Sequence, residues 1–441
     1  MPEVRLITLD PGHFHAALVQ KEMYPGVAKQ VQVYALLGPD LIAHLQRIAG
    51  FNARRDNPTR WELEIHAGSD ALQRMLHERL GNVVILAGRN RQKIDRILAA
   101  VETGMNVLAD KPWIISPEDL PKLQATLDTA DANRVIAYDI MTERYEITSI
   151  IQQELVNDPE IFGDICVGTE DEPGVFMESV HYLLKTVSGV PLRRPAWFFD
   201  IHEQGEGLTD VGTHLVDLVF FILFPNLPIQ YQQEIQVLSA KRWPTNLTKA
   251  SFQQVTGEKD FPDFLSSFVQ EDRLAYYCNT LVSYTVRNIH TKLNILWDLE
   301  ALPGCSDTHL AVFRGSRSRV EVRQTKAEDF KPEVYVVPNR AGDKTPILAA
   351  LQARVSALQG RFPGIQVQHL GDPGDECRVA IPDAYRVGHE AHFAQVTQQF
   401  LSYLQESNSL PAWEKPNVLA KYFVTTQGVG KSRQGNHVIF P

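Results

Sequence analysis

Cysteine is scarce in this chain: there are four in 441 residues, at positions 166, 278, 305 and 377. They are widely separated, with no Cys-x-x-Cys pair and no dense disulfide framework, so free thiols in a reducing compartment are expected. A basic surplus is also lacking. The formal charge is −10, which leaves no excess of cations to neutralise a phosphate backbone and argues against nucleic acid as a partner. No apolar run has the length of a bilayer span; Leu215 to Phe224 is short and is interrupted by Asp217. Met1-Pro2-Glu3-Val4-Arg5 has no signal-peptide pattern, so a cytoplasmic protein without a membrane partner is expected. The Gly-x-Ser-x-Gly elbow and the Gly-x-x-x-x-Gly-Lys-Ser/Thr loop are absent too, which leaves serine-hydrolase and P-loop chemistry unsupported.

What is present is an ordinary globular composition, 44% hydrophobic and 22% charged, without low-complexity tracts or internal repeats. A chain of 441 residues exceeds what a single core usually holds, so two domains are expected. Up to Tyr138, short apolar runs alternate with helical patterns. Val4 to Leu9, Val31 to Leu37, Trp61 to Ile65, Asn82 to Ala87, Asn106 to Ala109 and Val135 to Tyr138 read as strands. Ile94 to Val101 and Pro117 to Asp131 read as helices between them. That alternation predicts right-handed crossovers and a doubly wound, Rossmann-like parallel sheet.

The texture changes near residues 140 to 150. Glu146 to Leu155 reads as a helix, and from Arg273 to Val322 strand-like runs recur at hairpin spacing, with Gly315-Ser316-Arg317-Ser318 as a turn. Thr345 to Leu358 and Ala391 to Leu404 read as further helices, and Gly371 to Asp375 as a loop. The expected architecture is α/β, with residues 1–145 as a Rossmann-like nucleotide-binding domain. Residues 146–441 follow as an α+β domain with an open, mainly antiparallel sheet.

Doubly wound sheets bind ligands beyond the carboxyl ends of their strands. Here those ends carry Asp10 to His15, Gly88-Arg89-Asn90, Asp110-Lys111-Pro112-Trp113 and Asp139 to Tyr145. In the first turn only Gly12 occupies a glycine position of the dinucleotide fingerprint; Asp10 and His15 take the other two. The N–H groups of His13, Phe14 and His15 could still offer an anion-binding helix start, with Asp10 as its cap. The second strand ends in Ala35 and Leu36, not in a ribose-binding acid. His13 and His15 have no third ligand at a recognisable spacing, so no metal site is expected. Lys111 would either face the cleft or stand on the surface. His181 and Lys185, four apart on a helix-like stretch, would share a face.

The most distinctive stretch is Gly205 to Asp217, Gly-Glu-Gly-Leu-Thr-Asp-Val-Gly-Thr-His-Leu-Val-Asp. Asp210, His214 and Asp217 fall four and three residues apart and share one face of a helix. A carboxylate beside an imidazole fixes its tautomer and raises its pKa, as a general base requires; the same spacing also suits a structural pair in a buried helix.

In this order, the turn from Asn90 to Lys93, Ala109-Asp110-Lys111-Pro112 and Gly205 to His214 resemble the Gfo/Idh/MocA family of glucose-fructose oxidoreductase, inositol dehydrogenase and rhizopine-catabolism proteins. Within it they resemble a subgroup of oxidoreductases with an extended C-terminal domain. The resemblance implies NAD or NADP held by Gly12, His13, Phe14, His15, Asn90, Asp110 and Lys111. It implies hydride transfer to or from a hydroxyl-bearing carbon of a sugar, polyol or related compound. Lys111 would orient the hydroxyl, His214 would be the general acid/base and Asp210 would sit beside it. Arg144, Tyr145, His181 and Lys185 are the candidate substrate contacts, and a homodimer or homotetramer would form through the C-terminal sheet. Two other readings share these motifs. One is NAD-dependent glycoside cleavage or elimination through transient sugar oxidation, with His181, Asp217 or Glu206 as an additional acid/base; the other is a non-catalytic sensor or regulatory subunit. The sequence departs from the family at the glycine turn, at the missing ribose acid, at Asp110 in place of glutamate and at Lys93 in place of histidine. Residues 325 to 390 are longer than a minimal member needs.

Overall fold

The computed structural model describes residues 3–187, 190–191, 193–371, 376–406 and 410–434. Residues 372–375 of the expected Gly371 to Asp375 loop lie outside the described residues. The chain divides into two compact units, Met1–Tyr145 with Gly388–Tyr422, and Glu146–Val387 with Phe423–Pro441.

The first unit alternates strand and helix: β1 (Leu6–Leu9), α1 (His15–Val19), β2 (Gln30–Ala35), α2 (Pro39–Ala53), β3 (Glu62–Ala67), α3 (Ala71–Glu78), β4 (Val83–Leu86), α4 (Lys93–Glu102), β5 (Asn106–Asp110), α5 (Leu120–Asn133) and β6 (Ala137–Ile140). The strands form one parallel sheet in the order β3-β2-β1-β4-β5-β6. Every residue of β1, β4 and β6 is buried, the signature of a sheet covered on both faces, and it explains why β4 reads as a continuous apolar run. Strand order reverses between β1 and β4, which places the ligand-binding crevice of this topology at their carboxyl ends.

The second unit is built on a large sheet. Its elements are α6 (Ile147–Val156), β7 (Val175–Leu184), the short pair β8 (Thr186–Val187) and β9 (Val190–Pro191), α7 (Gly207–Leu223), α8 (Tyr231–Glu234), β10 (Ile235–Thr248), α9 (Lys249–Thr256), β11 (Val269–Gln270), β12 (Arg273–Val286), β13 (Ile289–Glu300), β14 (Thr308–Arg314), β15 (Ser318–Gln324), β16 (Glu333–Pro338), α10 (Lys344–Leu358), β17 (Gln366–Leu370) and β18 (Glu376–Ala380). The sheet runs β10-β12-β13-β7-β14-β15-β16-β18-β17. Pairing is antiparallel except between β13 and β7. The long region after residue 325 thus supplies one end of the sheet, β16, β18 and β17, together with α10.

Along β13, Ile289, Thr291, Leu293, Ile295 and Trp297 are buried and the residues between them are not, the period-two pattern of a sheet with one packed face. Helix α7 is buried on nearly all sides, and its position is fixed by its glycines. Gly205 takes a φ of +92°, a left-handed conformation that a Cβ opposes. Gly207 lies so close to β12 that a Cβ there would stand 1.8 Å from the Cys278 carbonyl oxygen. The hydroxyls of Thr209 and Thr213 donate back to the carbonyls of Glu206 and Thr209, at 2.9 and 2.6 Å, so neither buries an unpaired polar group.

The last two helices are α11 (His389–Gln405) and α12 (Glu414–Gln434). Residues 388–422, which the sequence reading places in the second domain, group with the first unit. The cause is hydrophobic: Phe393, Val396, Phe400 and Leu401 of α11 join Leu6, Val31 and Tyr138 in one core. Among the described residues, no helix is long and apolar enough to cross a membrane.

Candidate active site

In the first unit the loops after β1, β4 and β5 meet. The turn after β1 is tight: Gly12 N–H donates to the Asp10 carbonyl at 2.8 Å and His13 N–H to the Ala87 carbonyl at 2.9 Å. A Cβ on Gly88 would stand 2.7 Å from the Asp10 carbonyl oxygen, so the two loops touch through their backbones. At His13 this differs from the expected anion-binding helix start. The His13 N–H is already donated, α1 has only five residues, and no side chain caps it. Asp10 does not cap the helix; its backbone is left-handed at φ 48° and its carboxylate accepts a 2.5 Å hydrogen bond from Arg96 of α4. A guanidinium within reach is a stronger partner for an aspartate than main-chain N–H groups in so short a helix.

The expected cofactor residues gather around Asp110, which is buried at the end of β5. Its Oδ2 is 2.9 Å from His15 Nδ1 and 3.3 Å from His13 Nδ1. Burial alone would raise the Asp110 carboxyl, but the two imidazoles hold it well below the usual carboxylate range. Burial holds the His15 imidazole well below its ordinary value, against the pull of Asp110, so a neutral ring presents Nδ1–H to an ionised carboxylate. The rings of Phe14 and Phe393 pack on His15, each with its centroid 4.5 Å away.

Behind this group lies Lys93, whose importance to the site the sequence reading did not expose. Its ammonium donates to Asn90 Oδ1 at 2.6 Å and to the Asp110 carbonyl at 2.9 Å. Burial pulls its pKa down to about 8. Lys93 therefore fixes the main chain from which Lys111 departs, and Asn90 beside it. The Lys111–Pro112 peptide is cis, and the Lys111 side chain is half-buried. Arg144 is engaged within the same unit. It donates to Glu414 at 2.8 Å and lies over the Trp413 ring, contacts that hold the returning segment. Tyr145 is half-buried beside it, its phenol pushed up to about 12 by burial.

In the second unit, Asp210, His214 and Asp217 all lie on α7, with Asp210 and His214 half-buried and Asp217 buried. Glu206, at the start of the helix, is buried; its Oε1 accepts from Arg242 at 2.5 Å and Arg433 at 2.8 Å. His181 and Lys185 do meet, but not on a helix: His181 is on strand β7, and both contact Asp307. Spacing of four keeps side chains on one face in a helix and, being even, in a strand as well, so it could not discriminate. His181 Nδ1 is 3.3 Å from Asp307 Oδ2, its Nε2 is 2.8 Å from Ser179 Oγ, and Lys185 Nζ donates to Asp307 Oδ2 at 2.8 Å. Arg194, unmarked by any motif, stacks over Phe198 at 4.5 Å and Trp297 at 5.1 Å, with Tyr276, Asp210 and Asp307 as its electrostatic neighbours.

Asp307 gives a pH test of this cluster. Burial would raise its pKa, yet His181 and Lys185 hold it at about 2. A depressed carboxylate pKa stabilises the fold above the unfolded value and loses that contribution as pH falls through the folded one. The shift is worth about 2 kcal/mol at neutral pH. Asp307→Asn should therefore be less stable than the parent at pH 7, and the gap should close between about pH 4 and pH 2. Denaturant midpoints measured across that range check it; a gap that does not change with pH contradicts it.

A parallel nucleotide-type sheet is followed by an open mixed sheet, with a Lys-Pro at the fifth strand end and an Asp-x-x-x-His helix, the order of features that the sequence resemblance implies. Residues 151–433 match the family described as "Putative oxidoreductase C terminal domain". A solved structure of a "putative oxidoreductase" from Parabacteroides merdae is 43% identical, with a TM-score of 0.95 over 98% of each chain. The chain belongs to this oxidoreductase family, within the Gfo/Idh/MocA group. Others share the fold at low identity. One is a "putative oxidoreductase" from Thermotoga maritima, 13% identical with a TM-score of 0.62 over 98% of this chain and 99% of that one. Another is levoglucosan dehydrogenase in complex with NADH and L-sorbose, 11% identical with a TM-score of 0.60 over 98% of each chain. No curated protein matches the chain.

Proposed function

We propose that the protein transfers hydride between NAD or NADP and a hydroxyl-bearing carbon of a sugar, polyol or related compound. The observation that carries the reading is the convergence of Asn90, Lys93 and Asp110 at the strand ends beside the switch point, directly before Lys111, in a chain of this family. The fit is uneven. The ends of β4 and β5 offer a rigid polar frame, whereas the turn after β1 keeps one fingerprint glycine and has no free N–H at His13. Asn90, Lys111 and the main chain at Asp110 would hold the nicotinamide end. The nicotinamide supplies the hydride acceptor or donor.

The chain's own residues handle the proton and the charge. His214 removes the hydroxyl proton in the oxidative direction and returns it in the reductive one, with Asp210 beside it on α7 to orient the ring. Lys111 stabilises the alkoxide that develops as the proton leaves. Lys185 and Arg194 are polar groups for the substrate's remaining hydroxyls, and His181 helps hold Asp307 beside Lys185. Redox-neutral glycoside cleavage would need one more proton-transfer group. Of the three residues eligible for it, Glu206 is tied to two guanidiniums, both ring nitrogens of His181 are engaged, and Asp217 is buried in α7. Net hydride transfer is the better match. The levoglucosan dehydrogenase likeness agrees with a sugar-like substrate.

The expected result is accumulation of reduced nicotinamide, followed by absorbance, when the protein is incubated with NAD or NADP and a panel of aldoses, polyols and anhydrosugars. Release of a free sugar from a glycoside, with solvent deuterium in the product and no net reduced nicotinamide, would replace this reading by the redox-neutral one.

A further inference from the structure

We propose that His13, His15 and Asp110 form a binding site for a divalent transition-metal ion, with Zn²⁺ the ion best suited to their donor set. The sequence conceals the site, because His-x-His lies in the first turn and its carboxylate lies at the end of β5. The fold brings the three ligand atoms within 4.8 Å of one another. Both Nδ1 atoms aim at the same carboxylate oxygen, Asp110 Oδ2, at 3.3 and 2.9 Å. Ligands of a tetrahedral Zn²⁺ with bonds of about 2.0 Å stand roughly 3.3 Å apart, close to the two nitrogen–oxygen separations already present.

The surroundings favour a cation. Asp110 is buried, and a buried carboxylate is ordinarily paired with a cation or bound to a metal. Its hydrogen-bond partners here are the two imidazoles, while the nearby Lys93 ammonium is directed to the main-chain carbonyl of Asp110. His15 is fixed by the rings of Phe14 and Phe393, and Asp110 by the sheet. His13 is half-buried, its side chain 28% exposed, which leaves an entry path and a coordination position for water or an anionic ligand. Two histidines and one carboxylate with an open position is the donor set of binding and catalytic metal sites, not of closed structural ones. Such an ion would also supply positive charge at a turn that has lost two fingerprint glycines. That consequence rests on the dinucleotide reading; the metal site does not.

The test uses the full chain without an affinity tag, stripped with a chelator and free of dinucleotide. Calorimetric titration with Zn²⁺ should show one tight equivalent, and Co²⁺ loading should give the visible absorption of a low-symmetry nitrogen and oxygen site. His13→Gln, at a partly exposed position, and Asp110→Asn should each weaken Zn²⁺ binding at least roughly tenfold, the lower end of what loss of even an outer partner costs. X-ray absorption of the Zn²⁺-loaded parent should show two imidazoles, a readout independent of whether either variant folds. Binding well below one equivalent, or unchanged affinity in a folded His13→Gln variant, would overturn the site. Because no dinucleotide is present, either result leaves the hydride-transfer reading to be judged on its own assay.

Discussion

Replacing His214 by alanine is expected to lower turnover of a confirmed substrate by roughly a hundred- to ten-thousand-fold, the range for removing a positioned general acid/base. Dinucleotide affinity should change little, since His214 belongs to the second unit and the proposed cofactor residues to the first. The loss should fall on kcat and kcat/KM alike, the mark of an interaction made in the transition state and not in substrate binding. The helix that carries His214 is held by backbone contact at Gly207 and by the Glu206 ion pairs, so the substitution should leave the fold intact. Unchanged turnover in the variant would remove His214 from the chemistry and return it to the status of a structural residue.

The second large effect is on stability. Lys421 of α12 and Asp139 of β6 form a buried pair at 3.0 Å, with side chains 0% and 3% exposed, and the Tyr422 hydroxyl donates to the same Asp139 Oδ2 at 2.8 Å. Tyr422 in turn stacks on Trp113, next to the Lys111–Pro112 peptide. Removing Lys421 takes the counter-ion at 3.0 Å away from a buried carboxylate, so Lys421→Met should cost about 3–5 kcal/mol. Replacing both partners by apolar residues should cost much less, because the buried charge is then gone as well. Thermal and denaturant unfolding of Lys421→Met and of the double variant Asp139→Leu/Lys421→Met distinguish the two cases. A single variant as stable as the parent would mean that the pair contributes nothing to the attachment of this helix.

What could be read in the sequence depended on periodicity. The parallel sheet was legible because strands buried on both faces, such as Val83–Leu86, are continuous apolar runs separated by helical stretches. Helix α7 was legible from its glycines and apolar run, and Gly205 and Gly207 prove to be demanded by a left-handed turn and a close approach to β12. The helical reading of His181 and Lys185 failed because an even spacing fits either structure. Helix α12 gave no signal: Val418 through Tyr422 are consecutively buried, so no apolar stripe marks one face. The pairings of Asp139 with Lys421, Arg144 with Glu414 and Asp110 with His13 and His15 join residues far apart in the chain. No local pattern encodes them, and they are what gives the strand ends their chemistry. Arg194 was missed for the same reason, since its neighbours Phe198, Trp297, Asp210 and Asp307 come from four separate places in the second unit.

The hydride-transfer reading requires the first unit to bind a nicotinamide dinucleotide despite its altered first turn. The most direct test is the melting temperature of the full chain with increasing NADH or NADPH, together with chromatography of whatever the purified protein releases on denaturation. A ligand at about a hundred times its Kd stabilises the native state by about 2.7 kcal/mol. A saturable rise in melting temperature is expected with at least one of the two dinucleotides. Absence of any shift with either, combined with no dinucleotide released from the denatured protein, would contradict it.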